Sequence, residues 1–592
     1  MTVKRATIFA SCLLFKLFTA VGAQAQNHTV PGKVSTPYPT ITNLAVEWEI
    51  QGDDNLNATC EVQYRRVGEG AWKQAMPLVR VPADETGERT WPTYRWLNKF
   101  SGSIFDLRPG TEYEIKLSLR DPDGGAADTT VRVSTRPVPA PAPDARVIEA
   151  NPRNFGALIA CAEPGDVFVL TPGYYYGQTG IERDGAPGRP IVIRGSREHP
   201  TIGSTFPEGL DLTYRRHLIV ENLDCWGSVN IRGAVDVTVR HCKVFAQYGI
   251  IAQYQPGARN CYIADNEVRW IMPWTGAGTG SSAPWGGAAN LGEGIEITGP
   301  GNVIAFNKVS GFRDCISTME DLWVYEQVCI DIYNNDITVG PDDGIEADFC
   351  GSNCRIMRNR IADCGMGLSA QPSLGGPVYF IRNVMYNISG APFKLERHSV
   401  GNIFLHNTVV KVGHGFQAPH WQNEYFRTVW LNNLCIGGGS WNRLGRPDAP
   451  EGRAVYLPGF NSTCTFDYNA AGTHGTPFSA LFGGNRTYDS VEELKKVSGA
   501  TRLIEVGMDV FAADVPFPDP PMPERGHQDL RLAPGSAAVE AGLVIPNVND
   551  GFSGKAPDIG AYELGEPMPH YGLRPEGVDE LTEWERLHGG SR

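Results

Sequence analysis

Short runs in which apolar and polar residues alternate fill the first part of the chain, from residue 30 to residue 137. The clearest runs are Leu44–Ile50 and Cys60–Tyr64, and alternation with a period of two is typical of strands that bury one face. Near Tyr113 a Pro-Gly turn leads into a new strand. A tyrosine in this setting predicts a tyrosine corner, whose phenol bonds to upstream backbone and closes a β-sandwich. Residues 30–137 are therefore predicted to form a β-sandwich.

A different pattern begins after a proline-rich stretch at 138–145, which predicts a stiff linker. An asparagine, one further residue and then an aliphatic residue recur together, and from Asn335 the spacing is 24, 24, 24 and then 26 residues. Each copy follows an alternating strand. One such turn of chain cannot bury its own apolar face but stacked turns can, and stacked asparagines can hydrogen-bond to one another. The copies are at Asn222, Asn266, Asn307, Asn335, Asn359, Asn383, Asn407 and Asn433, and His241–Val244 fills the gap after the first.

This repeat predicts an all-β protein in which a right-handed parallel β-helix spans residues 146–565 and residues 566–592 form a C-terminal tail. The only helix we expect is a short cap near Phe155–Ala162. Gly 68 and Pro 43 also favour many turns and exclude an all-α architecture.

The first 25 residues have the parts of a secretory signal. Lys4 and Arg5 precede an apolar stretch from Ile8 to Val21, and Ala23-Gln24-Ala25 offers a small-residue cleavage site. We therefore expect a protein that is secreted or periplasmic. No later stretch reaches the length of about 18 apolar residues that a membrane span needs, so we expect no membrane insertion, and we expect a monomer.

The formal net charge of −14 makes nucleic acid an improbable partner, because the phosphate backbone attracts basic surfaces. Of the 13 cysteines, none forms a pair with histidines at zinc-ligand spacing. Cys350 and Cys354 are close enough in sequence for a local disulfide, and stacked, buried free cysteines are the alternative.

Candidate chemistry emerges when the rungs are stacked on their inward aliphatic residues, because outward side chains then form columns with a rise of about 4.8 Å. The inward set is Ile295, Ile316, Ile345, Leu368, Phe393 and Phe416. The outward column that follows it is Glu296, Ser317, Glu346, Ser369, Lys394 and Gln417.

One rung in this alignment, Asp342–Asp348, carries four carboxylates on seven residues. Lys394, with Arg397 and His398 on the next turn, falls two rungs away, and Glu296 falls two rungs to the other side. Like charges this close repel one another and shift pKa values. The arrangement predicts a functional site, whereas the structural alternative is that the acids cap turns and Lys394 pairs with a glutamate.

Two reactions suit these residues. In a lyase acting on a uronic-acid polymer, Asp343, Glu346 and Asp348 would hold Ca²⁺, which neutralises the sugar carboxylate. Lys394 would be the base, and Arg397 or His398 would assist the leaving oxygen. In a hydrolase, Glu346 and Asp348 on alternate positions of one strand would be roughly 6–7 Å apart, near the lower limit for inverting chemistry.

Aromatic residues in two long insertions favour a carbohydrate substrate, because indole faces stack on sugar rings. The predicted substrate-binding set is Glu296, Trp270, Trp274, Trp285, His420 and Trp421. The alternative is that the tryptophans pack the insertions onto the β-helix.

The sandwich resembles a fibronectin type III domain, and together with the β-helix it resembles secreted bacterial polysaccharide-degrading proteins of the pectate lyase-like superfamily. The resemblance is nearest to calcium-dependent β-helix lyases of alginate and chondroitin, whose sites pair glutamates with a lysine and an arginine. Polygalacturonase-type hydrolases offer a second comparison through Asp342-Asp343 and Gly413-His414-Gly415, which lie three rungs apart here. The resemblance implies a lyase first and a hydrolase second, and a non-catalytic glycan-binding protein is the third possibility.

Overall fold

The computed structural model describes residues 26–86, 93–196, 203–274, 292–318, 326–418, 425–439, 452–519 and 523–588. The predicted export signal lies outside the described residues. No helix in the described part of the chain is long and apolar enough to cross a membrane.

The N-terminal part is a β-sandwich of two antiparallel sheets, with strand orders β1-β2-β8-β5 and β10-β9-β3-β4. Tyr113 is buried, and its hydroxyl accepts a hydrogen bond from the backbone N–H of Arg108 at 2.9 Å, which confirms the tyrosine corner. The fibronectin type III subtype stays a prediction. The strands are β1 (Val30–Ser35), β2 (Leu44–Gln51), β3 (Thr59–Arg66), β4 (Lys73–Ala75), β5 (Val79–Val81), β6 (Asp84–Glu85), β7 (Arg95–Trp96), β8 (Lys99–Ile104), β9 (Glu112–Arg120) and β10 (Ala126–Ser134).

A right-handed parallel β-helix follows the sandwich, as predicted. Its elements begin with β11 (Arg146–Ala150), α1 (Phe155–Ile159), β12 (Asp166–Leu170), β13 (Gly173–Tyr174), β14 (Ile191–Gly195), β15 (Ser204–Phe206), β16 (Leu210–Asp211), β17 (Arg216–Glu221), β18 (Leu223–Cys225), β19 (Val229–Asn230), β20 (Val235–Arg240), β21 (Lys243–Phe245), β22 (Tyr248–Ala252), β23 (Tyr262–Ala264), β24 (Glu267–Arg269), β25 (Glu293–Ile297), β26 (Val303–Ala305), β27 (Lys308–Ser310) and β28 (Asp314–Ser317). They continue with β29 (Asp331–Tyr333), β30 (Asp336–Glu346), β31 (Cys354–Met357), β32 (Arg360–Ala370), β33 (Val378–Ile381), β34 (Val384–Ile388), β35 (Phe393–Leu395), β36 (Asn402–Leu405), β37 (Thr408–Val410), β38 (Phe416–Gln417), β39 (Val429–Leu431), β40 (Leu434–Gly438), β41 (Val455–Leu457), β42 (Thr465–Asp467), β43 (Asn469–His474), β44 (Ala480–Phe482), β45 (Thr487–Tyr488), α2 (Val491–Ser498), β46 (Leu503–Glu505), a 3₁₀ turn (Met508–Val510) and α3 (Glu580–His588).

Each full rung contributes to three faces. The first face is a 13-stranded parallel sheet that runs from β11 to β42. The second face holds β13, β15, β18, β21, β24, β27 and the first part of β30, and the third face holds β16, β19, β22, β25, β28 and the last part of β30. β32 likewise serves the second face with its first residues and the third face with its last, where it pairs with β35.

The repeated asparagines stack as a buried ladder at the corner between the first and second faces. Asn359 donates from its backbone and side-chain N–H groups to Asn383 Oδ1, each at 3.0 Å, and its own Oδ1 accepts the same two bonds from Asn335. The stacking prediction is confirmed for seven asparagines, and Asn469 adds a rung; the predicted seven are Asn266, Asn307, Asn335, Asn359, Asn383, Asn407 and Asn433.

Asn222 does not belong to this ladder, so that part of the prediction is wrong. It lies one position earlier in its rung, at a φ of 61°, in the left-handed conformation that Asp265 and Asn334 also take just before a ladder position. Cys242 occupies the ladder position before Asn266 and donates its backbone N–H to Asn266 Oδ1 at 3.0 Å.

The sandwich packs on the first face of the β-helix. Phe105 of the sandwich lies edge-on to Tyr379 with ring centroids 5.0 Å apart. The fully buried Arg355 joins the two parts, because its Nε donates to Asp331 Oδ1 at 2.5 Å and its Nη1 to Ser103 Oγ at 3.2 Å. The sandwich is thus a packing partner of the β-helix.

The last strand of the stack, β46, ends at Glu505, and residues 506–588 pack along the outside of the β-helix. Two polar contacts hold this C-terminal segment: the buried ion pair of Arg574 with Asp265 at 2.6 Å, and the approach of His527 Nε2 to Asp336 Oδ1 at 2.5 Å. It includes α3, whose Trp584 donates from Nε1 to the carbonyl of Asp106 at 2.8 Å. The expectation of one helix is wrong, since α2 and α3 are also present, and the boundary at 565 stays a prediction.

Described cysteines are all free, and Cys350 and Cys354 are both buried. Of the two readings that the sequence left open, the structure has the buried free thiols.

Candidate functional site

The predicted column is confirmed on the third face from Glu296 to Lys394 by the pairing of successive strands, whereas β38, with Gln417, belongs to a separate sheet. Glu296 pairs with Ser317, Ser317 with Glu346, Glu346 with Ser369 and Ser369 with Lys394. The inward residues stack in the same order, from Ile295 to Phe393. The column is therefore set by the burial of a large apolar side chain in every rung, and the polar residues between them point away from the core.

Three carboxylates meet in the middle of this column, around Glu346. Asp314, Asp343 and Glu346 each offer an oxygen atom, and these oxygens lie within 4.8 Å of one another; we call them the acidic cluster. The Asp314 Oδ1 atom also accepts a hydrogen bond from the backbone N–H of Asp343 at 2.8 Å. Asp314 is 2 % exposed and Asp343 is fully buried, whereas the Glu346 side chain is 13 % exposed and forms the outer edge of the cluster.

The backbone around Asp343 explains its position. β30 and β32 change register between Gly340 and Asp343, which moves the Asp-Asp pair out of simple alternation. Gly344 follows at a point where a Cβ atom would lie 2.5 Å from Ile361 Cγ2 and 3.0 Å from the Gly367 carbonyl. Only glycine fits there without displacing the next rung, so close packing explains the glycine that follows the Asp-Asp pair.

Two cations border the acidic cluster. Lys394 lies between the buried Phe393 and Leu395 on β35, and its Nζ is 2.7 Å from Asp343 Oδ2 and 3.9 Å from Glu346 Oε1. Arg313 lies with its Nε 3.5 Å from Asp314 Oδ2 and its Nη2 3.2 Å from Asp342 Oδ2. Lys394 therefore reaches back across two rungs, because its long side chain lies along the face.

The electrostatics of the site are strongly perturbed. Burial raises the pKa of Glu346 well above its ordinary value, and the charges of Asp314, Asp348 and Asp343 raise it further. Burial and the neighbouring Asp342 and Asp343 likewise raise the pKa of Asp314. Such mutual repulsion among carboxylates favours proton uptake or a bound cation.

Lys394 responds in the opposite sense. Burial by itself would lower the pKa of Lys394, but the carboxylates of Asp343, Asp348 and Glu346 raise it well above the ordinary value for lysine. While those carboxylates are ionised, Lys394 keeps its proton and acts as a cation.

Asp348 has a different setting from the one its spacing suggested. It is fully buried, and its Oδ1 accepts hydrogen bonds from Ser369 Oγ at 2.6 Å and from the backbone N–H of Gln371 at 2.8 Å. Asp314 lies in the three-carboxylate group in the place that the sequence hypothesis gave to Asp348. The sequence could have indicated Asp314 if the alignment had been extended to the residues before the inward column. There Glu293 pairs with Asp314, and Asp343 follows at the same place in the next rung.

The remaining predicted residues lie around this centre. Glu296 is 3 % exposed and accepts a hydrogen bond from Gln253 Nε2 at 2.5 Å. Arg397 and His398 are half-buried on the turn after β35, and the His398 ring stacks on Phe426 at 5.8 Å.

The predicted aromatic residues separate into different places. Trp270 is half-buried, with its ring 5.0 Å from that of Phe245. Trp274 packs against the apolar cluster formed by the C-terminal segment and the second face, which includes Val384 and Phe517. Trp285, His420 and Trp421 lie outside the described residues. The substrate-binding role of the whole set stays a prediction.

Fold and site together define a β-helix protein with a buried acidic centre on its third face. Residues 227–427 match the family model described as right handed beta helix region. No curated protein matches the chain. Among solved structures, the pectate lyase Pel9A is 13 % identical with a TM-score of 0.33, covering 71 % of this chain and 97 % of its own. A family 28 exopolygalacturonase of Yersinia enterocolitica is 11 % identical with a TM-score of 0.28, covering 77 % of this chain and 98 % of its own. These two likenesses are too weak to carry an argument about chemistry.

Proposed function

We propose that this protein cleaves a polysaccharide at the acidic cluster and that the reaction is β-elimination in a uronic-acid polymer. The observation that carries the proposal is the meeting of three carboxylate oxygens within 4.8 Å beside the ammonium group of Lys394. The predicted export signal agrees with a substrate of this size, which a cell meets outside its cytoplasm.

The residues of the cluster fit a hard divalent cation such as Ca²⁺. All three donors are carboxylate oxygens, which is the ligand chemistry that calcium prefers. The raised pKa values of Asp314 and Glu346 arise from burial and from repulsion among these same carboxylates, and a cation would relieve the repulsion. When bound, the ion would neutralise the sugar carboxylate and so acidify the neighbouring C–H group.

The chain's own residues supply the proton transfers in this proposal. Lys394 is the candidate base. Its ammonium group would first release its own proton to solvent, and neutralisation of the Asp343 and Glu346 carboxylates, which raise its pKa, would favour that release. The neutral amine would then accept the proton of the substrate C–H group. Arg397 and His398, on the turn that follows, are the candidates for assisting the leaving oxygen.

A hydrolase is the second candidate, and the raised pKa of Glu346 favours it. A carboxyl group whose pKa is raised by burial and by neighbouring carboxylates, and which lies at the edge of the cluster, is suited to protonate a glycosidic oxygen. Asp348, the other member of the pair predicted from the sequence, accepts two hydrogen bonds. Asp343, paired with Lys394, is the better-placed partner for Glu346 in this scheme.

The deciding experiment is incubation of the full chain with polygalacturonate, alginate, chondroitin sulfate and xylan, with calcium and then with a chelator. Ultraviolet absorbance of a new conjugated double bond that disappears with chelator supports the lyase. New reducing ends without absorbance refute the lyase and support the hydrolase. Neither signal on any polymer refutes both and leaves the glycan-binding class.

Variants test whether the cluster is responsible. Glu346→Gln and Lys394→Ala are each expected to lower turnover by about 100-fold or more, as expected for the loss of an acid or a base. Lys308→Ala, on the outer side of the second face, and Glu505→Gln, at an exposed end of β46, are matched controls that should retain full activity. Full activity in Lys394→Ala would exclude the proposed centre.

A further inference from the structure

A strip of exposed aromatic residues lies on the second face, away from the acidic cluster. Its members are 62 % exposed at Tyr176, 53 % at Trp226, 38 % at Tyr174 and 36 % at Phe245; we call these four residues the aromatic strip. Tyr174 contacts both neighbours, stacking on Tyr176 with centroids 5.8 Å apart and meeting Trp226 edge-on at 5.5 Å. Single exposed apolar residues are ordinary, but a contiguous group of large rings marks an interaction surface.

The register of the β-helix produces the strip. Cys225 pairs with Val244, so the next residues, Trp226 and Phe245, follow one another on successive rungs with a rise of about 4.8 Å. Tyr174 belongs to the neighbouring outward column, which continues through Thr205, Asp224, Lys243 and Glu267. Rings and charged groups therefore lie side by side along the same face.

The cleft beside the strip has the composition of a sugar site. It has a volume of about 290 Å³ and is lined by the rings of Trp226 and Phe245 together with Asp224, Lys243, Glu267 and Arg269. The C–H face of a pyranose ring packs on an aromatic ring, while its hydroxyl groups bind charged donors and acceptors. The core of a protein–protein interface is depleted of charged residues, and here a charged group borders each ring of the cleft.

The strip ends where the candidate catalytic face begins. Three residues after Phe245, Tyr248 opens β22, and it pairs with Glu293 on the third face. From β30 onward the second face is covered by the C-terminal segment, through His527 on Asp336 and Tyr571 beside Arg360. Among the described residues, the exposed part of the second face therefore borders, at Tyr248, the strand that begins the third face in the same rung.

We propose that the aromatic strip binds a polysaccharide chain outside the catalytic centre, with its pyranose rings on Tyr174, Tyr176, Trp226 and Phe245. The strip holds the polymer that extends from the acidic cluster around the corner at Tyr248. The identity of that polymer rests on the function proposed above, whereas binding of a sugar chain to the strip does not.

The test is affinity electrophoresis of the full chain in gels that contain polygalacturonate, alginate or xylan, performed in the Glu346→Gln background to prevent turnover. We expect at least one polymer to retard the protein. Trp226→Ala should weaken that retardation about tenfold, the loss expected for a central tryptophan. Tyr214→Ala removes a ring that is 52 % exposed on another turn and should have no effect.

Three results overturn the proposal: no retardation by any of the three polymers, retardation that Trp226→Ala leaves unchanged, or a dimer in light scattering that Trp226→Ala dissociates. The last would make the strip a self-association surface. Retardation that Trp226→Ala abolishes, in a protein whose wild type cleaves none of the polymers, supports the strip and refutes the enzyme. In an active wild type, Trp226→Ala should slow cleavage of the long polymer and leave cleavage of its short oligosaccharides unchanged.

Discussion

Replacement of Glu346 by glutamine is expected to stabilise the metal-free protein although it removes activity. Burial and the charges of Asp314, Asp348 and Asp343 raise the pKa of Glu346 above the value of 4.5 that the free side chain has. A carboxyl group with a raised folded-state pKa favours folding below its unfolded pKa, and that contribution is lost as pH rises through the folded pKa. Glutamine keeps the shape and removes the charge, so the pH-dependent loss should disappear.

The change in the free energy of unfolding depends on how far folding raises the pKa of Glu346. A pKa that is higher by one in the folded chain corresponds to about 1.4 kcal/mol of stability lost at high pH. The Glu346 side chain is 13 % exposed, so solvent screens it little, and Lys394 Nζ at 3.9 Å offsets part of the repulsion. We therefore expect Glu346→Gln to raise the free energy of unfolding at pH 8, by about 1.4 kcal/mol for each unit by which folding raises the pKa of Glu346, and to leave it nearly unchanged below pH 4.5.

Urea unfolding in the presence of a chelator, repeated at several pH values, measures this difference. Glu505→Gln, an exposed change of the same kind, should stay within about 0.5 kcal/mol of wild type throughout. The reasoning is refuted if Glu346→Gln is less stable than wild type at pH 8, because the carboxylate would then stabilise the fold, as a purely structural partner of Lys394 does.

Three further predictions concern the metal, the ladder and acid stability. Calcium at 100 times its Kd should stabilise the protein by about 2.7 kcal/mol in thermal unfolding, and an equal shift in Asp343→Asn would contradict the assigned site. Asn359→Ala leaves two donors of Asn335 without an acceptor and should lower the free energy of unfolding by about 3–5 kcal/mol. In the wild type, Asn266 Oδ1 accepts only from Cys242 among the described ladder contacts, so Asn266→Ala should lower it less. Equal losses of stability in the two variants, measured by urea unfolding, would refute this account. Burial would raise the pKa of Asp336, but His527 and Arg360 lower it to about 2, which should stabilise the fold by about 2 kcal/mol above pH 4. That contribution is lost as pH falls toward 2, and an unchanged acid transition in Asp336→Asn would count against it.

The column on the third face could be predicted because one physical rule sets it. Every rung must bury a large apolar side chain at the same place, so aligning Ile295, Ile316, Ile345 and Leu368 also aligns the outward residues between them, and the pairing confirms that alignment. The same rule fails where a strand ends. β30 ends at Glu346, and beyond it alternation no longer fixes direction, so Asp348 accepts bonds from the next rung where we had expected it beside Glu346.

Asp314 was missed for a related reason. It lies two residues before Ile316, on which the rungs were aligned. The residues that follow it in the next rung, next to Asp343, are those where β30 shifts register beside β32. Strand alternation gives no information about how a side chain is oriented at such a shift. Extending the columns upstream would have placed Glu293, Asp314 and Asp343 one above another, and that signal was present in the sequence.

The packing of the C-terminal segment on the β-helix could not have been predicted from local sequence patterns, and it determines which surfaces a polymer can contact. Arg574 and Asp265 are 309 residues apart, and residues that meet one at a time over such separations leave no periodicity to find. Yet by packing on the second face from Asp336 onward, this segment removes that area from contact with any polymer. Among the described residues, the C-terminal segment leaves uncovered the N-terminal rungs of the second face with their aromatic strip, and the third face, which holds the largely buried acidic cluster, begins next to them at Tyr248. A ligand long enough to contact both surfaces must turn the corner between β21 and β22. Tyr248→Ala should therefore slow cleavage of long polymers more than cleavage of short oligosaccharides. Equal slowing of both would show that the two surfaces do not bind one continuous chain.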